Sequence, residues 1–195
     1  MVVFFFHDCA ENDSAGDARH VPSPTLPGAG RLNPASSEPT PPAPAFMMDH
    51  MLIRTGKYLR ICGFDAEWQR GVRTHELIRR ANAEERVFVT RNRHIGDSYP
   101  APRALLVLTT ADPVAQFREI LAACHLDPRP GLFRKCIRCN RWLKPLADRE
   151  LARGRVPPDV LKRQERFWSC PACGTVFWHG GHVRNTCRKL GLPLP

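Results

Sequence analysis

Four of the eight cysteines form two Cys-x-x-Cys pairs, and these pairs constrain the fold more than any other feature of the chain. They lie in KCIRCN at 135–140 and in SCPACG at 169–174. Two matched pairs supply four thiolates for one tetrahedral zinc ion, whereas the alternative, a redox-active pair, needs no second copy. The spacing therefore predicts one zinc ion. Its predicted ligands are Cys136, Cys139, Cys170 and Cys173.

The 30 residues between the two pairs exceed the ~15–20 of the compact pattern. The stretch PPDVLKRQ predicts an inserted helix that begins at a proline. Three spare ligand candidates follow the second pair, but four thiolates already complete the shell and leave no position for water. The zinc is therefore predicted to be structural, and to fold a segment with few apolar side chains. The spare candidates are His179, His182 and Cys187.

Positive charge is concentrated at the carboxyl-terminal end of the chain. Residues 131–195 contain 14 basic and 4 acidic side chains, whereas residues 46–130 contain 13 and 10, in a chain of net charge +10. Such a concentration predicts a polyanionic partner. Aromatic residues lie among these basic residues, and we expect most to form a core and one or two to remain available for base stacking. They are Trp142, Phe167, Trp168, Phe177 and Trp178.

The sequence gives no sign of membrane insertion. No stretch approaches the ~20 apolar residues that span a bilayer. The opening MVVFFF has no basic residue before the apolar run, which stops at His7, below the length of a signal peptide. Without such a signal, cysteine pairs favour metal binding in a reducing compartment. We therefore expect a cytoplasmic protein with no membrane association.

The chain is predicted to divide into three parts. Residues 1–45 are predicted to be disordered, because 22–45 hold eight prolines in 24 positions and bury too little surface to offset ordering entropy. Over 46–130, short apolar runs alternate with amphipathic stretches, which predicts a small parallel sheet flanked by helices. Residues 131–195 are predicted to form the zinc module. The predicted strands are 45–48, 64–68, 86–90 and 104–109, and the predicted helices are 51–63, 74–85 and 112–124.

Two helices carry specific expectations. The first is predicted to bury a stripe through Leu52 and Leu59 and to expose a basic side. Thr74 is predicted to cap the second helix. The exposed basic side consists of Arg54, Lys57 and Arg60.

The order of these motifs resembles the Mut-7 C-terminal RNase domain, a PIN-like nuclease fold with an appended zinc ribbon. The resemblance covers about residues 46–190. It implies a metal-dependent ribonuclease in which clustered carboxylates hold Mg²⁺ or Mn²⁺, and RNA as the partner. The motifs that carry it are LRICGFDAEW, HELIRRANAEERVFVTRNR, CIRCN and VPPDVLKRQERFWSCPACGTVFWHGGH.

The resemblance also assigns site residues. Asp49 matches the acid that ends the first strand, and Glu76 matches the second acid of an Asp-x-Glu-Leu pattern. Thr74 stands in place of the first acid of that pattern, and Asn92 stands in place of the aspartate in Thr-Arg-Asp. Two of four expected carboxylates are therefore missing. The candidate catalytic residues are Asp49, Glu76 and Asn92, and the candidate substitutes for the missing acids are Asp97 and Asp112.

Each of these site residues also has a structural interpretation. Asp49 precedes a helix and would serve as its N-cap. Glu76 lies in the first turn of its helix, where an acid suits the helix dipole. Asn92 offers a metal a carbonyl oxygen without charge, and the affinity of hard cations follows ligand charge, so metal binding should be weakened. Thr90 is predicted to be a positioning hydroxyl.

Two functions of different class are consistent with the sequence. The first is a ribonuclease with a depleted acidic site, in which basic residues of the sheet domain steer the RNA backbone. The second is a non-catalytic RNA-binding protein that uses the basic zinc module. The basic residues for the first are Arg54, Lys57 and Arg91, and for the second Arg134, Arg138 and Arg141.

Overall fold

The computed structural model describes residues 43–95 and 101–195, so most of the predicted disordered segment lies outside the described residues. Two 3₁₀ turns accompany the strands and helices, at His50–Leu52 and Arg149–Ala152. The elements, in chain order, are β1 Phe46–Met48, α1 Ile53–Ile61, β2 Ala66–Glu67, α2 Thr74–Ala83, β3 Val87–Thr90, β4 Leu105–Val107, α3 Pro113–Ala123, β5 Lys144–Pro145, α4 Pro158–Arg163, β6 Trp168–Ser169, β7 Val176–Phe177 and α5 Gly181–Leu190.

The strands form two sheets, and the predicted fold class is confirmed. Strands β1 to β4 form a parallel sheet in the order β2-β1-β3-β4, and β5 to β7 form a small antiparallel sheet in chain order. The predicted strand 64–68 is shorter than expected, because only Ala66 and Glu67 pair with β1. The inserted helix predicted from PPDVLKRQ is α4. Across the described ranges, no helix is long and apolar enough to cross a membrane.

The side chains of β1 point alternately to the two faces of the parallel sheet, as the twofold period of a strand requires. Phe46 and Met48 belong to the core cluster that includes Leu59 of α1 and Phe117 of α3. Met47 belongs to a second cluster with residues of α2 and β3. All three β1 side chains are fully buried. Helices therefore cover both faces of the sheet.

The prediction that Arg60 lies on the exposed side of α1 is wrong, because its side chain is only 2% exposed. Its Nε donates a hydrogen bond to the carbonyl oxygen of Ala66 over 2.6 Å, and its Nη2 pairs with Glu67 over 3.1 Å. The guanidinium lies 3.6 Å from the ring centroid of Trp68. Burial acts to lower the pKa of Arg60, while the Glu67 carboxylate acts to raise it.

The same guanidinium also contacts the zinc module. Nη1 of Arg60 donates to the carbonyl oxygens of Ile137 and Arg138, over 3.2 and 2.9 Å. Both carbonyls lie between the cysteines of the first pair. A planar guanidinium offers five N–H donors in a fixed fork. One buried side chain of α1 can therefore donate hydrogen bonds to the sheet edge and to the cysteine module at the same time.

A close backbone approach joins the end of α1 to the start of the cysteine module. Gly63 has φ +86°, and a Cβ there would lie 2.6 Å from the Cα of Gly131. A Cβ on Gly131 would lie 2.6 Å from the carbonyl oxygen of Cys62. Both positions therefore need glycine. Residues 43–195 lie within one compact unit, and the domain boundary at 130/131 stays a prediction.

The second helix begins differently from the prediction. Thr74 is its first helical residue, and Arg73 occupies the N-cap position. The backbone N–H of Arg73 donates to Oε2 of Glu76 over 3.4 Å. The carboxylate of Glu76, the third residue of the helix, thus accepts the N–H of the N-cap residue, which is one half of a capping box, and Thr74 is not the N-cap.

We predict that Arg60→Met destabilises the protein by about 3–5 kcal/mol, because it removes the charged partner of Glu67 and the side-chain donor of the Ala66, Ile137 and Arg138 carbonyls. Urea unfolding monitored by circular dichroism measures the change. Arg80→Met is the matched control, since Arg80 forms an exposed i,i+4 pair with Glu84 in α2, and such pairs contribute about 0.3–0.5 kcal/mol. Equal losses in the two variants would contradict a structural role for the buried guanidinium.

Candidate functional site: a four-cysteine cluster and a polar strand edge

The four predicted cysteines converge. Their Sγ atoms all lie within 4.8 Å of one another. Tetrahedral zinc with bonds of ~2.3 Å places its ligand atoms about 3.8 Å apart; the separation of Cys136 and Cys173 is 3.8 Å, and two other pairs are closer, at 3.5 and 3.1 Å. In the described part of the chain, no other group of three or more His, Cys, Asp or Glu side chains converges in this way. The cluster therefore fits one zinc ion. Its members are Cys136, Cys139, Cys170 and Cys173.

Neither spare histidine belongs to this cluster, and nor does Cys187. The ring of His179 stacks on Trp168, with centroids 4.5 Å apart, and His182 meets Trp178 edge to face. Cys187 is buried in α5. Burial lowers the pKa of His179 and raises the pKa of the Cys187 thiol. These three residues serve packing in the module.

The two cysteine pairs have the same backbone geometry. In the first knuckle, the N–H of Asn140 donates to the carbonyl of Cys136 over 2.9 Å, and in the second, the N–H of Gly174 donates to the carbonyl of Cys170 over 3.0 Å. Asn140 and Gly174 both have left-handed backbones, with φ of 62° and 69°. Glycine adopts this conformation most easily, and asparagine is among the few other residues that tolerate it. Unlike glycine, the asparagine also has a side chain that can make contacts outside the turn.

Asn140 joins the first knuckle to the edge of the parallel sheet. Its Nδ2 donates to Oδ1 of Asp65 over 2.7 Å and to Oε1 of Glu67 over 2.9 Å. Burial acts to raise the pKa of Asp65, but hydrogen bonds from Arg86 and Asn140 outweigh it, and the pKa lies below its usual value. Charged Asp65 therefore stabilises this contact above pH ~4, and the stabilisation is lost as the pH falls through the lowered pKa. Asn140 was not predicted as a site residue from the sequence, although its position, equivalent to that of Gly174 in the second knuckle, was a usable signal.

The second polar cluster lies at the carboxyl ends of β1 and β3. The Thr90 hydroxyl donates to Oδ2 of Asp49 over 2.6 Å and accepts from the backbone N–H of Asn92 over 3.0 Å. The strand order places β2 on one side of β1 and β3 on the other. Ligands of open α/β sheets bind beyond the strand ends at such a switch point. Asp49, Thr90 and Asn92 are thus linked where a site is expected.

Asp49 and Asn92 also have local roles. Oδ1 of Asp49, a residue only 3% exposed, accepts from the N–H of His50 over 2.7 Å and caps the following 3₁₀ turn. The side-chain oxygen Oδ1 of Asn92 accepts a hydrogen bond from the backbone N–H of His94 over 3.0 Å. Each of these oxygens keeps further lone-pair capacity, because a carboxylate or amide oxygen accepts more than one contact.

The remaining acid candidates lie in helix starts or outside the described residues. Glu76 is exposed in the first turn of α2 and bonds the backbone of Arg73. Asp112 caps α3, since its Oδ2 accepts from Val114 and Ala115 N–H groups over 2.9 and 2.8 Å. Asp97 lies in the segment 96–100, outside the described residues.

The predicted RNA-steering residues of the sheet domain are all exposed. An open groove of about 560 Å³ is lined by His50, Arg54 and Arg70 among others. His50 is the residue that follows Asp49 in the sequence. Arg70 was missed in the sequence, because it follows the short strand β2 in a loop without a motif. The exposed residues are Arg54, Lys57 and Arg91.

The described residues thus combine an α/β sheet, a polar cluster at its switch point and a four-cysteine cluster. The Mut7-C RNAse domain family matches residues 44–190, more than half of the chain, and the chain belongs to that family. Family membership confirms the resemblance drawn from the motifs and implies RNA as the substrate class. No curated protein and no solved structure matches the chain.

We predict that the protein purifies with about one zinc ion per chain, and that Cys170→Ser lowers the zinc content and the melting temperature, because three thiolates no longer complete the tetrahedral shell. Elemental analysis and thermal unfolding measure the two effects. Cys124→Ser is the control, since Cys124 is half-buried in the sheet domain and outside the cluster. Native protein prepared without chelators yet lacking zinc would contradict the assignment.

Proposed function

We propose that this protein is a divalent-metal-dependent ribonuclease whose active site lies at the carboxyl ends of β1 and β3. The observation that carries the proposal is the hydrogen-bonded link from Asp49 through Thr90 to Asn92. It joins the residues that follow two adjacent strands at the switch point of the sheet. Membership of a ribonuclease family supports the reaction class.

The donor atoms at this edge fit Mg²⁺ or Mn²⁺ in kind but are poor in charge. Asp49 and Asn92, together with Glu76 from the first turn of α2, would supply the oxygen ligands that hard cations prefer. Two carboxylates and one amide carry less charge than four carboxylates, so we propose a weak metal site. A bound ion would neutralise charge on the scissile phosphate and lower the pKa of a bound water.

The chain's own residues would position the substrate. The buried Thr90 hydroxyl orients the Asp49 carboxylate, and the His50 N–H holds the other carboxylate oxygen. Arg54 and Arg70 line the groove that includes His50, the residue after Asp49, and would contact phosphates of the RNA strand. Arg91, directly after Thr90, would hold the backbone on the other side of the acid.

We predict that Asn92→Asp raises cleavage of a single-stranded RNA and lowers the manganese concentration needed by about tenfold or more, because it adds a full charge beside a divalent ion. The aspartate can still accept the His94 N–H and keep the turn. Asp49→Asn is expected to abolish cleavage. Cleavage of end-labelled RNA across a manganese series measures all three proteins.

Asn185→Asp is the control for the added charge, since Asn185 is exposed on α5 in the zinc module. It should leave the manganese dependence of the native protein unchanged. Equal cleavage by the native, Asn92→Asp and Asp49→Asn proteins would show that any cutting arises elsewhere, and the catalytic assignment would fall.

The second candidate function is RNA binding by the zinc module, which we name the ribbon (residues 131–195). It is favoured by unpaired positive charge. Within the described ranges, Arg134 and Arg141 have no acidic group at ion-pair distance, and Arg138 bonds only the hydroxyl of Thr175, over 3.2 Å. All three arginines are exposed beside the first knuckle. Arginines without protein partners can contact phosphates at no cost in broken ion pairs.

We predict that replacing Arg134, Arg138 and Arg141 together by alanine weakens binding to all RNA sequences alike. It should flatten the slope of log K against log salt by about 2, since each lost single-strand phosphate contact removes ~0.7. Fluorescence anisotropy over a salt series measures the slope. The matched control replaces Arg149, Arg153 and Arg163, which are exposed in the ribbon but paired with acids. Equal slopes in native and variant would exclude this surface.

A further inference from the structure

Trp142 is an exposed aromatic side chain in a module whose other tryptophans are partly covered. It is 56% exposed, whereas Trp168 and Trp178 are half-buried, the first stacked on His179 and the second packed against the ribbon core. A tryptophan left in water forgoes most of the stabilisation that its burial would supply. Its flat ring is instead available to a planar partner.

The backbone that carries Trp142 is tied to the first knuckle. Lys135 and Trp142 form an antiparallel bridge. The N–H of Cys136 donates to the carbonyl of Arg141 over 2.8 Å, and the N–H of Leu143 donates to the carbonyl of Arg134 over 2.9 Å. The backbone that carries the ring is therefore fixed to the segment that contains the first cysteine pair. Because this backbone is already ordered, binding a partner at the ring costs little further conformational entropy.

Lys135 lies at the ring of Trp142. Its ammonium is 5.3 Å from the ring centroid, and its side chain is only 7% exposed. Burial lowers the pKa of Lys135, while the nearby Asp65 carboxylate acts to raise it. A cation at this distance from the ring stabilises the ring's orientation. Trp142 remains 56% exposed despite this contact, so part of its surface is available to a partner.

The surroundings of Trp142 select the partner by charge. Arg134, Arg141 and Lys144 are exposed on the same segment and, among the described residues, have no acidic group at ion-pair distance. An exposed aromatic ring among basic side chains is the composition with which proteins hold single-stranded nucleic acid: the ring stacks on a base and the cations contact the flanking phosphates. An acidic peptide would match the charges but would leave the ring face without a planar partner.

We propose that Trp142 is a stacking platform for an unpaired nucleobase of RNA, with Arg134 and Arg141 on the phosphates that flank it. The platform deepens the proposed function, because it rests on RNA being the partner. It does not rest on cleavage, since Trp142 belongs to the ribbon and not to the strand edge.

Binding is measured with the full-length, zinc-loaded protein in the absence of Mg²⁺ and Mn²⁺, so that no cleavage occurs. The probes are a short oligouridylate RNA and an abasic ribose-phosphate strand of equal length. Trp142→Ala is expected to weaken oligouridylate binding about 5- to 150-fold, the range expected for loss of one stacked base. It should leave the salt slope unchanged, because no phosphate contact is removed, and Trp142→Phe should retain most of the affinity.

Leu151→Ala is the matched control, because Leu151 is an exposed apolar residue of the same ribbon, at 55% exposure. It should bind both probes as the native protein does. Oligouridylate should quench the tryptophan fluorescence of the native protein, and this quenching should be lost in Trp142→Phe. The abasic strand should bind Trp142→Ala and native protein equally.

Three results would overturn the platform. The first is equal oligouridylate affinity in native protein and Trp142→Ala. The second is an equal loss of abasic-strand affinity in that variant, which would assign the ring to phosphate contacts or to folding. The third is a native protein that binds a polyglutamate peptide but no RNA. If RNA binds through Trp142 but is not cut at any manganese concentration, the ribonuclease proposal is rejected and the stacking proposal stands.

Discussion

The buried guanidinium of Arg60 determines how the two parts of this protein meet. A charge that is 2% exposed must be hydrogen-bonded on all sides, since an unpaired buried ion costs several kcal/mol. Its partners are the end of β2 and two carbonyls of the first knuckle. The knuckle can therefore occupy only the position that completes these bonds. A single buried side chain of α1 therefore holds the edge of the parallel sheet and the first knuckle of the ribbon together.

A second contact, made by Asn140, links the four-cysteine cluster to the edge of the parallel sheet. Asn140 extends from the first knuckle to Asp65 and Glu67, and Asp65 is also paired with Arg86, which follows α2. Because the thiolates and Asn140 belong to the same knuckle, a zinc ion bound by the four thiolates would also stabilise the sheet edge. Loss of the metal is expected to loosen β2, which lies next to β1 and hence next to Asp49.

Much of the fold follows from the sequence through local periodicity and spacing. The continuous apolar run of β1, which predicts a strand buried on both faces, and the paired cysteines are local features, and the structure agrees with both. Arg60 was misplaced because two of its acceptors lie 77 and 78 residues further along the chain, beyond any helical pattern. The candidate site was located through strand ends and the family resemblance. The turn that engages the Asn92 carbonyl with His94 depends on backbone angles that no motif records.

The left-handed turn at Asn140 has a consequence for the modularity of zinc ribbons. In the second knuckle Gly174 satisfies the backbone alone, whereas at Asn140 one residue satisfies the backbone and also recognises the neighbouring sheet. A ribbon transplanted from another protein, with glycine in both turns, would be expected to gather its zinc and yet fail to dock. Conversely, this ribbon grafted elsewhere would expose a carboxamide and two carbonyls shaped for acids and an arginine that the new host lacks. The two parts are therefore expected to be inherited and exchanged only as a pair.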